Sequence, residues 1–229
     1  MNNVVRLALN TTPQQAQRLL ALQHAFADVC NALGPLVQQT RCWNRVALHH
    51  MAYKQLRQQF PGLGSQMVCN AIYSVSRACR VVYQHPQSPF SLARLGDKPL
   101  PRLQFLAESP VYFDRHTLSI KDGQVSMFTL DGRMRFQLNL SPEDEHRFRT
   151  EKLREIVLDA KAGIFRLAFS FAQEVPASSV LVPRSEDDEA ENGAPNGGTE
   201  MPEYVVVIED PVPLQPPLQQ NHQAFSLPT

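Results

Sequence analysis

"VYFDRHTLSIKDGQVSMFTLDGRMRFQLNL", residues 111–140, decides the fold. It holds two Asp-Gly pairs, Asp122-Gly123 and Asp131-Gly132, each between apolar-rich runs. Asp-Gly tolerates the positive φ that a tight antiparallel turn requires. The stretch therefore predicts a meander with strands over 117–120, 125–130 and 134–140. Downstream, "LREIVLDAKAGIFRLAFSFAQEV" (153–175) predicts a further hairpin turning at 161–163. Phe165, Leu167, Phe169 and Phe171 alternate onto one face of its second arm.

Upstream the period is helical. "VVRLAL" (4–9) reads as a short strand. "NTTPQQ" then opens a helix, with Thr11 or Thr12 as N-cap and Pro13 in the first turn. Leu19, Leu22, Phe26, Val29, Cys30 and Leu33 share one face, and Gly34-Pro35 is expected to stop the helix. A second helix is predicted over 44–59, before Pro61-Gly62. A third runs from a Ser65 cap to near Tyr83. A Pro-rich link, 86–103, separates helices from strands. The fold class is α+β.

The chain has 229 residues and a net charge of zero, but the charge is not evenly spread. Residues 1–183 hold 21 of the 22 Lys and Arg and 13 of the 22 Asp and Glu. Residues 184–229 hold one Arg and nine acids. Within 1–96 nine basic residues face one acid, Asp28. A basic body with an acidic tail is the asymmetry expected of a nucleic-acid-binding protein. No apolar run suits a membrane span and no signal peptide is legible at the start, so no membrane partner and a cytoplasmic location are expected. No Gly-rich phosphate loop or nucleophile elbow is present. Cys30, Cys42, Cys69 and Cys79 lack Cys-x-x-Cys spacing and are expected to be free thiols. Cys69 and Cys79 lie about 15 Å apart along one helix, too far to share an ion. His49 and His50 are neighbours that point about 100° apart. No metal or other cofactor is expected.

On the third helix Met67, Val68, Ala71, Ile72, Val75, Ala78, Cys79 and Val82 fall on one apolar arc. Asn70, Tyr73, Ser74, Arg77 and Arg80 fall on the other and carry no acid. These are donors that suit phosphates, with a phenol ring on which a base can stack. The second helix places His50, Lys54 and Arg57 together away from its own core face. These eight residues are the candidate nucleic-acid-binding set, and a solvated helix face is the plain alternative.

Four strings, in order, resemble the N-terminal part of the TnpB/OrfB family of transposon-encoded, RNA-guided nucleases, relatives of the type V CRISPR effectors. They are "TPQQAQRLLALQHAFADVCN" (12–31), "ALHHMAYKQLRQQFPGLGSQMVCNAIYSVSRACR" (47–80), "VYFDRHTLSIKDGQVSMFTLDGRMRF" (111–136) and "REIVLDAKAGIFRLAFSFAQEVP" (154–176). The resemblance implies a wedge-type antiparallel β-barrel, 1–11 and 104–180, interrupted by a three-helix recognition insert, 12–85. It implies guide-type RNA and DNA as partners, with sequence read by base pairing. Family members continue after "EVP" into a RuvC-type nuclease whose acids bind two metal ions. Here "ASSVLVPRSEDDEAENG" follows. Consecutive acids at 186–189 in a low-complexity tract lack the fixed geometry catalysis requires. Residues 181–229 are expected to be a disordered tail, acidic and then Pro/Gln-rich, with 203–210 able to add a strand.

The expected function is a nuclease-less, TnpB-like protein that holds guide RNA, target DNA or both without cutting. It would act as a DNA roadblock or with a nuclease supplied in trans, and is nucleoid-associated when bound to DNA. Two alternatives stay open. One is an interaction protein acting through its acidic tail and the 203–210 strand. The other is a truncated product without activity.

Overall fold

The computed structural model describes residues 4–172 and 201–209. The acidic tract at 186–189 and the Pro/Gln-rich end lie outside the described residues. No described helix is long and apolar enough to cross a membrane.

Strand β1 (Val4–Ala8) leads into helix α1 (Pro13–Thr40). Thr12 and Gln15 form a capping box at its start, each side chain satisfying the other's backbone N–H. The predicted stop at Gly34-Pro35 does not occur: α1 runs on to Thr40 and ends at Arg41, which has φ 50°. An internal proline costs about 3 kcal/mol, and burial of Leu33 and Val37 offsets it. Gly34 has a packing role. A Cβ there would meet Arg102 Cγ at 3.1 Å and the Leu103 carbonyl oxygen at 3.3 Å.

Helix α2 (Arg45–Gln59) is capped by the Asn44 side chain, which accepts from the Ala47 N–H. Helix α3 (Ser65–Cys79) continues into a π-helical turn at Arg80–Gln84. Tyr83 in that turn is buried and donates to the Pro101 carbonyl, with its ring against Trp43. A short helix, α4 (Leu92–Leu95), follows, and the expected link ends inside strand β2 (Arg102–Phe105).

Strand β3 (Val111–Phe113), which the sequence did not predict, precedes the predicted meander of β4 (Leu118–Lys121), β5 (Gln124–Thr129) and β6 (Gly132–Gln137). Asp122 and Gly123 both take positive φ, and so does Gly132, as the Asp-Gly turns required. Helix α5 (Pro142–Thr150) was not expected from the sequence. It precedes β7 (Leu153–Lys161) and β8 (Ile164–Phe171), and β9 (Val205–Ile208) returns from the C-terminal side.

Among the described residues the strands make three antiparallel sheets, ordered β1-β8-β7-β3, β4-β5-β6 and β2-β9. Val5 pairs with Phe169, so the first strand closes on the last arm of the hairpin with all three long helices between them in sequence. β9 lies along β2 from Val205↔Phe105 to Ile208↔Arg102. Helices and sheets share one apolar core, from Leu19, Leu22 and Phe26 through Ile72 and Met127 to Leu158 and Leu167. The apolar arc of α3 is buried as predicted, Cys79 included, and all four cysteines are free.

Candidate nucleic-acid interface

The second arc of α3 is not the solvent-facing surface that its lack of acids suggested. Asn70 and Ser74 are buried, and Tyr73, Arg77 and Arg80 are half-buried. The cause is that α3 packs against α1, α2 and β3, and Glu155 of β7 also reaches it.

Four side chains at heptad-like spacing fasten α3 to the sheet. Gln66 Nε2 donates to Asp114 Oδ2 at 2.6 Å. Asn70 Nδ2 donates to the Tyr112 carbonyl at 3.1 Å. Tyr73 donates its hydroxyl to Glu155 Oε1 at 3.1 Å. Arg77 forms an ion pair with the same oxygen. The Arg77 guanidinium lies over the Tyr112 ring at 5.8 Å, and Tyr73 meets Tyr112 edge-to-face at 5.6 Å. Burial raises the Tyr73 pKa, with Glu155 adding to it. Burial acts against the Arg77 charge, but Tyr112, Glu155 and Tyr73 outweigh it and its pKa is raised. This is a closed seam whose donors are already matched to acceptors. Ser74 turns instead toward the Cys30 thiol, whose pKa burial pushes up. Arg80 Nη2 reaches Ser76 Oγ at 3.4 Å.

On α2, His50 and Lys54 are exposed as expected. Arg57 is half-buried and donates to the Leu63 carbonyl, bracing the α2–α3 turn. The eight candidates therefore separate into three seam residues (Asn70, Tyr73 and Arg77), two whose partners lie within the helices (Ser74 and Arg80), one brace (Arg57) and two surface residues (His50 and Lys54).

A different face carries the basic character. Inward positions of the β4-β5-β6 sheet are apolar: Leu118, Val125, Met127, Met134 and Phe136 are buried. The alternation turns Lys121, Arg133 and Arg135 outward, together with serines, glutamines and Phe128. The register places Arg133 opposite Phe128 and Arg135 opposite Ser126. No outward position of these three strands is acidic. Asp122 and Asp131 sit in the turns, and Asp131 already faces Arg18 at 3.5 Å.

Arg133 is held in place. Its Nη1 donates to the Ser126 carbonyl at 3.1 Å, its Nη2 reaches the His116 carbonyl at 3.4 Å, and its guanidinium lies 4.2 Å from the centre of the Phe128 ring. Phe128 is still 41% exposed, which is high for a phenylalanine in a folded sheet. No family model and no curated protein sequence matches this chain. Among the described residues no group of three or more His, Cys, Asp or Glu is placed to hold a metal ion.

Proposed function

We propose that this protein binds nucleic acid and performs no chemistry on it: a nuclease-less, TnpB-like module that holds a guide-type RNA, with DNA as the paired partner. The observation that carries this is the acid-free outward face of β4-β5-β6, which carries Lys121, Arg133 and Arg135, with Arg133 over the exposed ring of Phe128. Cations on a rigid sheet match a polyanion at fixed spacing, and neutralised phosphates release their counterions. The charge asymmetry of the sequence agrees with it. On α2, His50 and Lys54 are also exposed.

The order of elements supports the family resemblance. A first strand pairs with the last hairpin, helices intervene, and Asp-Gly hairpins follow. In this proposal the sheets correspond to a wedge-type barrel and α1–α3 to its recognition insert. The protein works in the cytoplasm, on the nucleoid when DNA-bound, with any cutting supplied by another protein. The interaction-protein alternative has less support, because β9 already takes β2 as its neighbour and buries Val205.

Sequencing the RNA that co-purifies with the full chain tests the proposal. A discrete small RNA species is expected, released as salt rises. Only a spread of ribosomal fragments would contradict the guide assignment.

A further inference from the structure

The geometry points to the Phe128–Arg133 pair as a stacking ledge for an unpaired base, which makes the β4-β5-β6 face a platform for single-stranded RNA. This rests on the nucleic-acid function proposed above and specifies which form of nucleic acid the face takes.

The cations alone would suit any polyanion, including an acidic peptide or a duplex. Phe128 distinguishes them. A phosphate gains nothing from an exposed ring, whereas every base has a π-face that stacks on one. Bases inside a duplex keep their faces against each other, so only an unpaired, unstacked base can use the ring. Arg133 lies over one face of the ring at 4.2 Å, so a base stacks on the other face of the ring or on the guanidinium plane itself. Bonds from Arg133 to the Ser126 and His116 carbonyls orient it before any ligand arrives. That ordering lowers the entropic cost of binding.

Spacing gives the second argument. Alternate outward residues on one strand stand about 6.8 Å apart. Stacked bases of one strand rise about 3.4 Å per residue. A chain that follows β5 from Phe128 past Ser126 to Gln124 must therefore be drawn out and unstacked. Arg135 lies across from Ser126, and Gln137 across from Gln124, beside that path. The cation then meets the backbone while hydroxyl and amide groups meet the sugar edge. Groups able to donate and accept suit a ribose 2′-hydroxyl, which favours RNA over DNA.

The test is fluorescence anisotropy of the full chain with labelled oligouridine, oligodeoxythymidine and a double-stranded RNA, at one salt concentration and across a salt series. Phe128→Ala is expected to weaken oligouridine binding about tenfold, within the range seen when a stacking ring is removed. The salt dependence should stay unchanged, because no charge is lost. Phe128→Leu keeps apolar cover over the sheet and controls for folding through its melting temperature; it should lose affinity as well. Phe128→Trp should retain or tighten binding. If Phe128→Ala and Phe128→Leu bind like the wild type while Arg135→Gln weakens all ligands, the ledge is refuted and nucleic-acid binding stands. Equal affinity for oligodeoxythymidine overturns the assignment to RNA. Preference for the double-stranded RNA overturns the single-strand platform. Absence of binding to all three overturns the functional proposal itself.

Discussion

Arg77→Glu places two carboxylates where the seam between α3 and the sheet now holds an ion pair. The Arg77 side chain is 32% exposed and that of Glu155 18%, between the surface and the interior. Exposed pairs contribute about 0–1 kcal/mol and breaking buried ones costs about 3–5 kcal/mol. With a third of Arg77 in water, losing the pair should cost about 1.5 kcal/mol, discounted for solvent screening. Repulsion between the new and old carboxylates adds about 1–2 kcal/mol at an intermediate effective dielectric. Losing the cation over Tyr112 adds about 0.5 kcal/mol. The total is about 3.5 kcal/mol, which for a chain of this size lowers the melting temperature by about 10 °C. Glu155→Arg should cost a similar amount, and the swapped pair R77E/E155R should regain about 2 kcal/mol of the combined loss. Thermal and urea denaturation followed by circular dichroism measure all four proteins. An R77E melting temperature within about 2 °C of wild type, or a swap no better than the sum of its parts, would show that the seam does not hold α3.

Other perturbations test separate parts of the structure. Asn31 exchanges hydrogen bonds of 3.0 and 2.7 Å with the Phe105 carbonyl and N–H, acting as a strand neighbour to β2; Asn31→Ala should destabilise by about 2 kcal/mol in urea denaturation. Ala162 sits at φ 52° in the β7–β8 turn, where an L side chain is strained by about 1 kcal/mol, so Ala162→Gly should raise the denaturation midpoint. Burial raises the pKa of Tyr73, Tyr83, Tyr112 and Tyr204. Their stabilising contribution is thus whole below the unfolded tyrosine pKa of about 10 and falls above it by about 1.4 kcal/mol per group per pH unit until each folded pKa is passed. Tyrosinate absorbance should rise together with alkaline unfolding, and ionisation of these four in a protein that keeps its native circular dichroism would contradict their burial.

The strands were legible because their signals are local. Alternation and Asp-Gly turns fixed β4, β5 and β6 within a few residues, and the turn at 161–163 formed where the pattern placed it. The same alternation turns Arg133 and Arg135 outward, so the basic sheet face is legible in the sequence as well. α5 was also within reach. Ser141-Pro142 and Asp144 form a capping box, with three acids in the first turn and Arg147 and Arg149 in the last.

The seam was not legible. A helical wheel shows which residues share a face, but not whether a second surface covers that face. The acceptors for Gln66 and Arg77 are Asp114 and Glu155, 48 and 78 residues further along the chain. Those acids supply the charge that α3 itself lacks, so the basic face was matched by distant residues. The run of α1 through Pro35 depends likewise on β2, whose Arg102 and Leu103 lie against Gly34 from a Pro-rich stretch that carries no clear strand signal.

The most direct test of nucleic-acid binding on the sheet face is the salt dependence of oligouridine affinity for the wild type and for the triple variant K121Q/R133Q/R135Q. All three side chains are exposed, so the variant should fold, with a small drop in melting temperature from the lost Arg133 contacts to Ser126, His116 and Phe128. Each single-strand phosphate contact contributes about 0.7 to the slope of log affinity against log salt. Removing three should flatten the slope by about 2 and weaken binding at low salt. An unchanged slope and affinity in a folded triple variant would place the nucleic acid elsewhere and contradict the account.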